Sequence, residues 1–204
     1  MHKFIAAALL ATPLVALAGP VNLLSNGSFE ATAIGNGSWS IVSSLNGWTT
    51  SAGGVELRNN AVGSALDGKN FAELDTTGNS SISQTIATVA GQWYELSFAY
   101  SNRIGVAAAS NGLAWTFGAA SGTTATHALI NGAHQWHDFS TLVQASGNSM
   151  TLSFAATGSS DSLGSSLDRI SVTSAVPEPE SYALMLAGLG AMAFVARRRK
   201  LKGH

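Results

Sequence analysis

The 204-residue chain has no cysteine. Disulfides, thiol nucleophiles and cysteine-bound metals are therefore excluded, and an exported form of the chain would have to rest on its hydrophobic core. Charge is also scarce, with Asp, Glu, Lys and Arg making up 10% of the residues. No long segment of the body carries apolar residues at a 3.6-residue period, so amphipathic helices are not expected. The body also lacks a Gly-x-Ser-x-Gly elbow and a His-Glu-x-x-His pair, the layouts of common serine hydrolases and zinc peptidases.

What is present begins at the two ends. Met1 to Ala18 combines Lys3, an apolar stretch from Phe4 to Leu17 and the small-x-small site Ala16-Leu17-Ala18. That is the layout of a secretory signal peptide cut after Ala18. At the other end, Val-Pro-Glu-Pro-Glu (Val176 to Glu180) precedes an apolar run from Tyr182 to Ala196 and the basic stop Arg197-Arg198-Arg199-Lys200. As a helix the run would reach about 22 Å, against a hydrocarbon core about 30 Å thick, so it is a marginal membrane span. Gly188 and Gly190 weaken it further, and the cations should stay on the cytoplasmic side. This tail resembles the PEP-CTERM sorting signal of Gram-negative bacteria that make exopolysaccharide, with Pro177, Glu178 and Pro179 as the sorting motif. The resemblance implies signal peptidase and an exosortase as processing partners, a transient stay in the inner membrane, and a mature protein that is secreted or held at the cell surface.

The expected organisation is a signal peptide over residues 1–18, one domain over 19–175 and a sorting signal over 176–204. Six cations and two acids lie in the two signals, leaving four cations against nine acids in the domain. Its four cations, Arg58, Lys69, Arg103 and Arg169, are scattered along the sequence. Nucleic acid, which needs clustered Lys and Arg to replace counterions, is not an expected partner.

Within the domain, apolar residues recur with a period near two. From Gln92 to Ser101, Tyr94, Leu96, Phe98 and Tyr100 point one way while Trp93, Glu95, Ser97 and Ala99 point the other, as in a half-buried strand. Similar runs cover 71–74, 81–86, 113–117, 136–143, 149–155 and 166–173, separated by turns such as Asp67-Gly68 and Ser146-Gly147-Asn148. Short strands without amphipathic helices predict an all-β, antiparallel two-sheet sandwich. The whole chain's five Trp and eight Phe supply a core that a disordered stalk would lack.

Several stretches then occur in the order seen in galactose-binding-like jelly rolls: Asn22 to Glu30 (NLLSNGSFE), Gly47-Trp48, Val55-Glu56-Leu57, Asp67 to Asp75, Gly91 to Phe98, and Leu167 to Val172 (LDRISV). The domain resembles the carbohydrate-binding-module end of that superfamily, which implies a jelly roll and an extracellular polysaccharide as partner. The resemblance also implies a structural Ca²⁺ held by Glu30 in the first strand and Asp168 in the last, because related modules carry one. The alternative is that both acids are solvated or capped by backbone amides.

Sugar recognition needs flat aromatic surface and planar hydrogen-bonding side chains. Trp48, Glu56, Arg58, Asn70, Glu73, Arg103 and Trp115 lie in or beside loop-rich segments and are the candidate ligand-binding residues, whereas Trp93 and Trp136 open strong strands and are assigned to packing. His134 and His137 would face opposite sides of a strand, so they are not expected to share a metal and are assigned to an exposed outer strand. Catalysis is not expected: a glycosidase needs two carboxylates flanking a cleft, and Glu56 with Glu73 is a pair any acidic chain offers. The functional expectation is an exported, non-catalytic polysaccharide-associated protein. The alternatives are a structural matrix protein without specific glycan binding and, behind it, a glycan hydrolase.

Overall fold

Alternation becomes strands almost wherever it is strong. In the computed structural model, which describes residues 20–129, 131–175 and 186–192, the strands are β1 (Ser38–Val42), β2 (Thr49–Thr50), β3 (Val55–Asn59), β4 (Phe71–Glu73), β5 (Ser81–Ala87), β6 (Trp93–Ser101), β7 (Leu113–Phe117), β8 (Ala120–Thr123), β9 (His137–Gln144), β10 (Ser149–Ala156) and β11 (Ser166–Ser174). All pairings are antiparallel. One sheet has the order β1-β3-β4-β11-β6-β9 and the other β2-β5-β10-β7-β8, which makes the body an all-β, two-sheet jelly-roll sandwich. The signal-peptide residues, the sorting motif Pro177, Glu178 and Pro179, and most of the apolar run lie outside the described residues. Residues 186–192 are helical, and among the described residues no helix is long and apolar enough to cross a membrane.

The inner faces follow the expected side-chain period. Tyr94, Leu96, Phe98 and Tyr100 enter the core, where Phe98 stacks on Phe139 with centroids 4.7 Å apart and meets Phe154 of the opposite sheet edge-on at 4.9 Å. Leu57, Ala72, Leu167, Leu152 and Phe117 are also fully buried. Each buried Leu or Phe contributes about 1.5–3 kcal/mol of burial free energy, and that has to replace the absent disulfides.

The segment 22–30 lies beside β11, but it is not a strand. Asn26 and Phe29 take positive φ (54° and 62°), which breaks extended backbone and turns the segment. Glu30 therefore stands in a turn rather than in a first strand, a correction to the sequence reading. The segment is nevertheless tied to β11: Leu23 N–H donates to Val172 O, Ile170 N–H to Gly27 O, and the Asn22 side chain bonds both Ile170 O and Val172 N–H. A Cβ at Gly27 would stand 2.1 Å from Ile170 O, so only glycine lets the backbones approach this closely. Opposite it, β11 carries a bulge between Asp168 and Ser171, with Arg169 at φ 50°. The extra residue turns Arg169 outward to Asp138 and leaves Asp168 and Ile170 buried.

Candidate functional site

Directly opposed residues of an antiparallel pair share a face. The register therefore places Glu56, Arg58, Phe71, Glu73, Ser166 and Asp168 together on the outer face of the six-stranded sheet, away from the core. That face should be wet, yet Arg58 is 2% exposed and Glu73 and Asp168 are 0%. Loops cover its middle, and the carboxylates hold them there.

Four of the candidate residues converge. Arg58 Nη2 lies 2.5 Å from Glu56 Oε1 and 3.1 Å from Glu73 Oε2, and Arg103 Nη1 lies 2.8 Å from Glu73 Oε1. Burial pushes the Glu73 carboxyl up to about 7, against the downward pull of Arg58, Arg103 and the Gly164 amide. Glu73 Oε1 accepts Gly164 N–H, while the next outward residue of the same stretch, Asp75, accepts the N–H groups of Asp161 and Leu163. Neighbouring carboxylates thus anchor the 161–164 loop. Glu56 and Glu73 lie within an ion-pair network and flank no open cleft, so they lack the geometry of a glycosidase pair.

A second clamp holds the 66–70 loop. Asp168 Oδ2 accepts Leu66 N–H at 2.8 Å and Asp67 N–H at 2.9 Å, and its Oδ1 accepts Arg169 N–H at 2.6 Å. Glu30 Oε1 accepts Lys69 N–H at 2.8 Å and Asn70 N–H at 2.7 Å. Burial raises the Asp168 carboxyl to about 6 despite these amides. Glu30 and Asp168 thus hold one loop from its two ends. Ca²⁺ takes roughly six to eight oxygens; here amide hydrogens face both Asp168 oxygens, and no group of three or more His, Asp or Glu side chains converges among the described residues. The donors at Asp168 form an amide cap.

The other candidate residues disperse. Trp48 and Trp115, both 6% exposed, pack in the core, Trp48 against Phe29 and Trp115 against Phe139. They present no free ring face to a sugar, which corrects their assignment as ligand residues. Asn70 is 3% exposed and donates from Nδ2 to Phe29 O and Thr32 O. It floors a pocket of about 230 Å³ lined also by Glu30, Thr32, Ala33, Ile34, Asn59 and Lys69.

Trp93 moves the other way. Assigned to packing, it is 47% exposed on the outer face, beside Gln144 and one step from Glu95 and Leu142. The signal was present, since Trp93 alternates with the inward Tyr94. Trp39, 56% exposed, stands on the same face at the far edge, opposite Arg58. Trp136 is half-buried, donates to Ser64 O and meets Phe71 edge-on.

The histidines separate, as the strand period requires, but they are not simply exposed. His134 bridges loops, with Nδ1 2.9 Å from Ser64 O and Nε2 3.1 Å from the Ser166 hydroxyl. A carbonyl only accepts, so Nδ1 carries the proton and Nε2 accepts from Ser166. Burial holds this imidazole below its usual pKa. His137 instead stacks on His127 at 3.7 Å, and burial first, then the His127 charge, lowers its pKa.

Residues 175–200 match the PEP-CTERM protein-sorting motif, which indicates export to the surface or exterior of a Gram-negative cell with exosortase processing. No curated protein matches the chain in sequence. Among solved structures the chain is similar to TmCBM61 in complex with β-1,4-galactotriose (15% identity, 76% of this chain and 99% of that one, TM-score 0.48). It is also similar to the CBM22-1 xylan-binding domain from Paenibacillus barcinonensis Xyn10C (18% identity, 78% and 97%, TM-score 0.44). A third similarity is to arabinose-bound MgGH51 α-L-arabinofuranosidase (10% identity, 74% of this chain but 26% of that one, TM-score 0.51), and it bears on fold alone. Residues 22–173, nearly the whole two-sheet body, match the family described as protein of unknown function (DUF642), and the chain belongs to that family.

Proposed function

We propose that this is an exported, non-catalytic protein that associates with extracellular polysaccharide through the open half of the six-stranded sheet's outer face. The observation that carries the reading is Trp93, half exposed on a strand face with Glu95, Ser140 and Gln144 around it. An aromatic ring flanked by planar hydrogen-bonding groups suits the C–H face and hydroxyls of a sugar. Ser140 donates to Glu95 at 2.6 Å and Gln144 to Gly91 O at 2.9 Å, so the polar groups are held in place before a ligand arrives. An exposed strand face beside the edge strand β9 leaves room for a chain passing over it. Calcium enters this proposal only through the jelly-roll resemblance.

In affinity electrophoresis of residues 19–175, the Trp93→Ala variant is expected to lose polysaccharide retardation by about tenfold or more. Its melting should stay within about 0.5 kcal/mol of wild type, as for surface substitutions. Equal retardation of the two proteins would remove Trp93 from the site.

One observation favours the matrix-protein reading. The edge strand β1, Ser-Trp-Ser-Ile-Val, carries no charge or proline to blunt pairing with a second chain. Absence of retardation by any polysaccharide, together with concentration-dependent assembly, would favour that reading.

The sorting step has its own test. Replacing Pro177 and Pro179 should leave export intact and strand the precursor in the inner membrane, because the substitutions remove recognition elements and leave the apolar run untouched. The check is fractionation of the native cells. Unchanged release of the double variant would rule out this role for the motif.

A further inference from the structure

The pocket beside the amide clamp has a chemistry that the Trp93 face lacks. Its floor is Asn59 and Asn70, 5% and 3% exposed. Both side chains donate to backbone, Asn59 Nδ2 once, to Ile34 O at 2.8 Å, and Asn70 Nδ2 twice, to Phe29 O and Thr32 O at 2.9 and 2.8 Å. These bonds fix which way each carboxamide points. Neither Oδ1 accepts a hydrogen bond from any described residue, yet neither is sealed from solvent among the buried unpartnered atoms. The Glu30 wall is similar: Oε1 is taken by two amides, and Oε2 bonds to no described residue. Lys69 supplies the one ammonium, while Ala33 and Ile34 supply apolar wall.

We propose that this pocket is a second ligand site, which takes a single terminal sugar residue of a glycan. Three open acceptors, two of them on buried amides, call for a ligand that donates several hydrogen bonds from one small ring. Hydroxyl groups do so and can also accept from Lys69. The apolar wall meets the ring's C–H face. A bare metal ion is disfavoured by the Lys69 ammonium in the lining. At about 230 Å³ the pocket is smaller than the roughly 300–1,000 Å³ of sites for drug-sized ligands, so it fits one ring and not a run of chain. Polysaccharide passing over Trp93 and a chain end seated between Glu30 and Lys69 are distinct modes of recognition.

The test is titration calorimetry of the full-length protein with free neutral hexoses, with a hexuronic acid and with calcium chloride alone. Ligand is taken to about 10 mM, where a Kd near 1 mM gives near-saturation. At least one monosaccharide is expected to bind, and Lys69→Ala and Glu30→Gln should each weaken it about tenfold or more. Lys69→Ala leaves the loop's backbone bonds in place and should leave the melting transition unmoved, whereas Glu30→Gln keeps an oxygen acceptor for the two amides but loses its charge and should lower melting slightly without unfolding the domain. Trp93→Ala should leave monosaccharide binding intact, which separates this site from the proposed polysaccharide face. The proposal is overturned if no monosaccharide binds, if both variants bind like wild type, or if calcium alone gives the Glu30-dependent signal.

Discussion

Arg58→Ala is expected to lower the unfolding free energy by about 3–5 kcal/mol, because it leaves the buried Glu56 without a cation and Glu73 with Arg103 alone. For a domain of this size the melting temperature should fall by roughly 6–20 °C. The size of the effect reflects the uncompensated charge and not the intrinsic strength of the pair. Glu56→Gln combined with Arg58→Ala should therefore lose less than the two single losses added together. Arg103, more exposed than Arg58 and bonded to one oxygen of Glu73, should be the smaller loss when truncated. Thermal and urea melts of the single and double variants provide the check. An Arg58→Ala protein that melts within a degree or two of wild type would show that the network does not hold the 161–164 loop against the sheet.

That network shows what the sequence could and could not convey. β5, β6, β7, β9, β10 and β11 were all legible, within a residue or so at each end, because each buries one face and so carries a period of two. β1, β2 and β8 were not: Ser38–Val42 has an exposed side, Thr49–Thr50 is two residues long, and Ala120–Thr123 is small and polar. Their pairing comes from neighbours and not from any pattern of their own. Glu56, Arg58, Glu73 and Arg103 were singled out as ligand groups because polar side chains near loops usually meet solvent or substrate. Only the register, with Glu56 opposite Glu73 and Glu73 opposite Ser166, reveals that they satisfy one another.

The tryptophans divide on the same principle. Trp48 lies in a turn, where local sequence does not say which side the core takes, whereas Trp115 alternates with Ala114 and Thr116 and so shares the inward side of β7 with Leu113 and Phe117. Trp48 is captured by Phe29 through the left-handed turn at Asn26 and Phe29. Gly122 allows β8 to lie against Trp115, where a Cβ would stand 2.9 Å from the ring. Trp93 differs, since its alternation with Tyr94 already set it facing outward. Composition favoured packing, periodicity favoured exposure, and periodicity was the better guide.

The buried carboxylates should also make the domain more stable in mild acid than at neutral pH. Glu73 is raised from 4.5 to about 7 and Asp168 from 3.8 to about 6, each chiefly by burial. In the folded state each holds its proton to a higher pH than in the unfolded chain. The stability each contributes is thus fully present below its ordinary value and is lost as pH rises through about 6 for Asp168 and about 7 for Glu73. At about 1.4 kcal/mol per unit, either shift is an effect of a few kcal/mol. His134 and His137 act in the opposite direction, since burial lowers both and their contribution is lost as pH falls through the usual histidine range. The carboxylate part is isolated by difference. Melting of wild type should be higher at about pH 5 than at pH 8, with the fall shallower up to pH 7 in Glu73→Gln and shallower up to pH 6 in Asp168→Asn, and the pH 6–7 part resting on Glu73 alone. A wild-type melt that does not fall between pH 5 and 8, or an undiminished slope in both variants, would contradict the assignment. The same melts decide between ion and amide at Asp168. A calcium ion favours the charged carboxylate, so it would raise melting at pH 8 and fail to do so at pH 5. If the Leu66, Asp67 and Arg169 amides alone hold Asp168, the curves in EDTA and in millimolar calcium should coincide throughout.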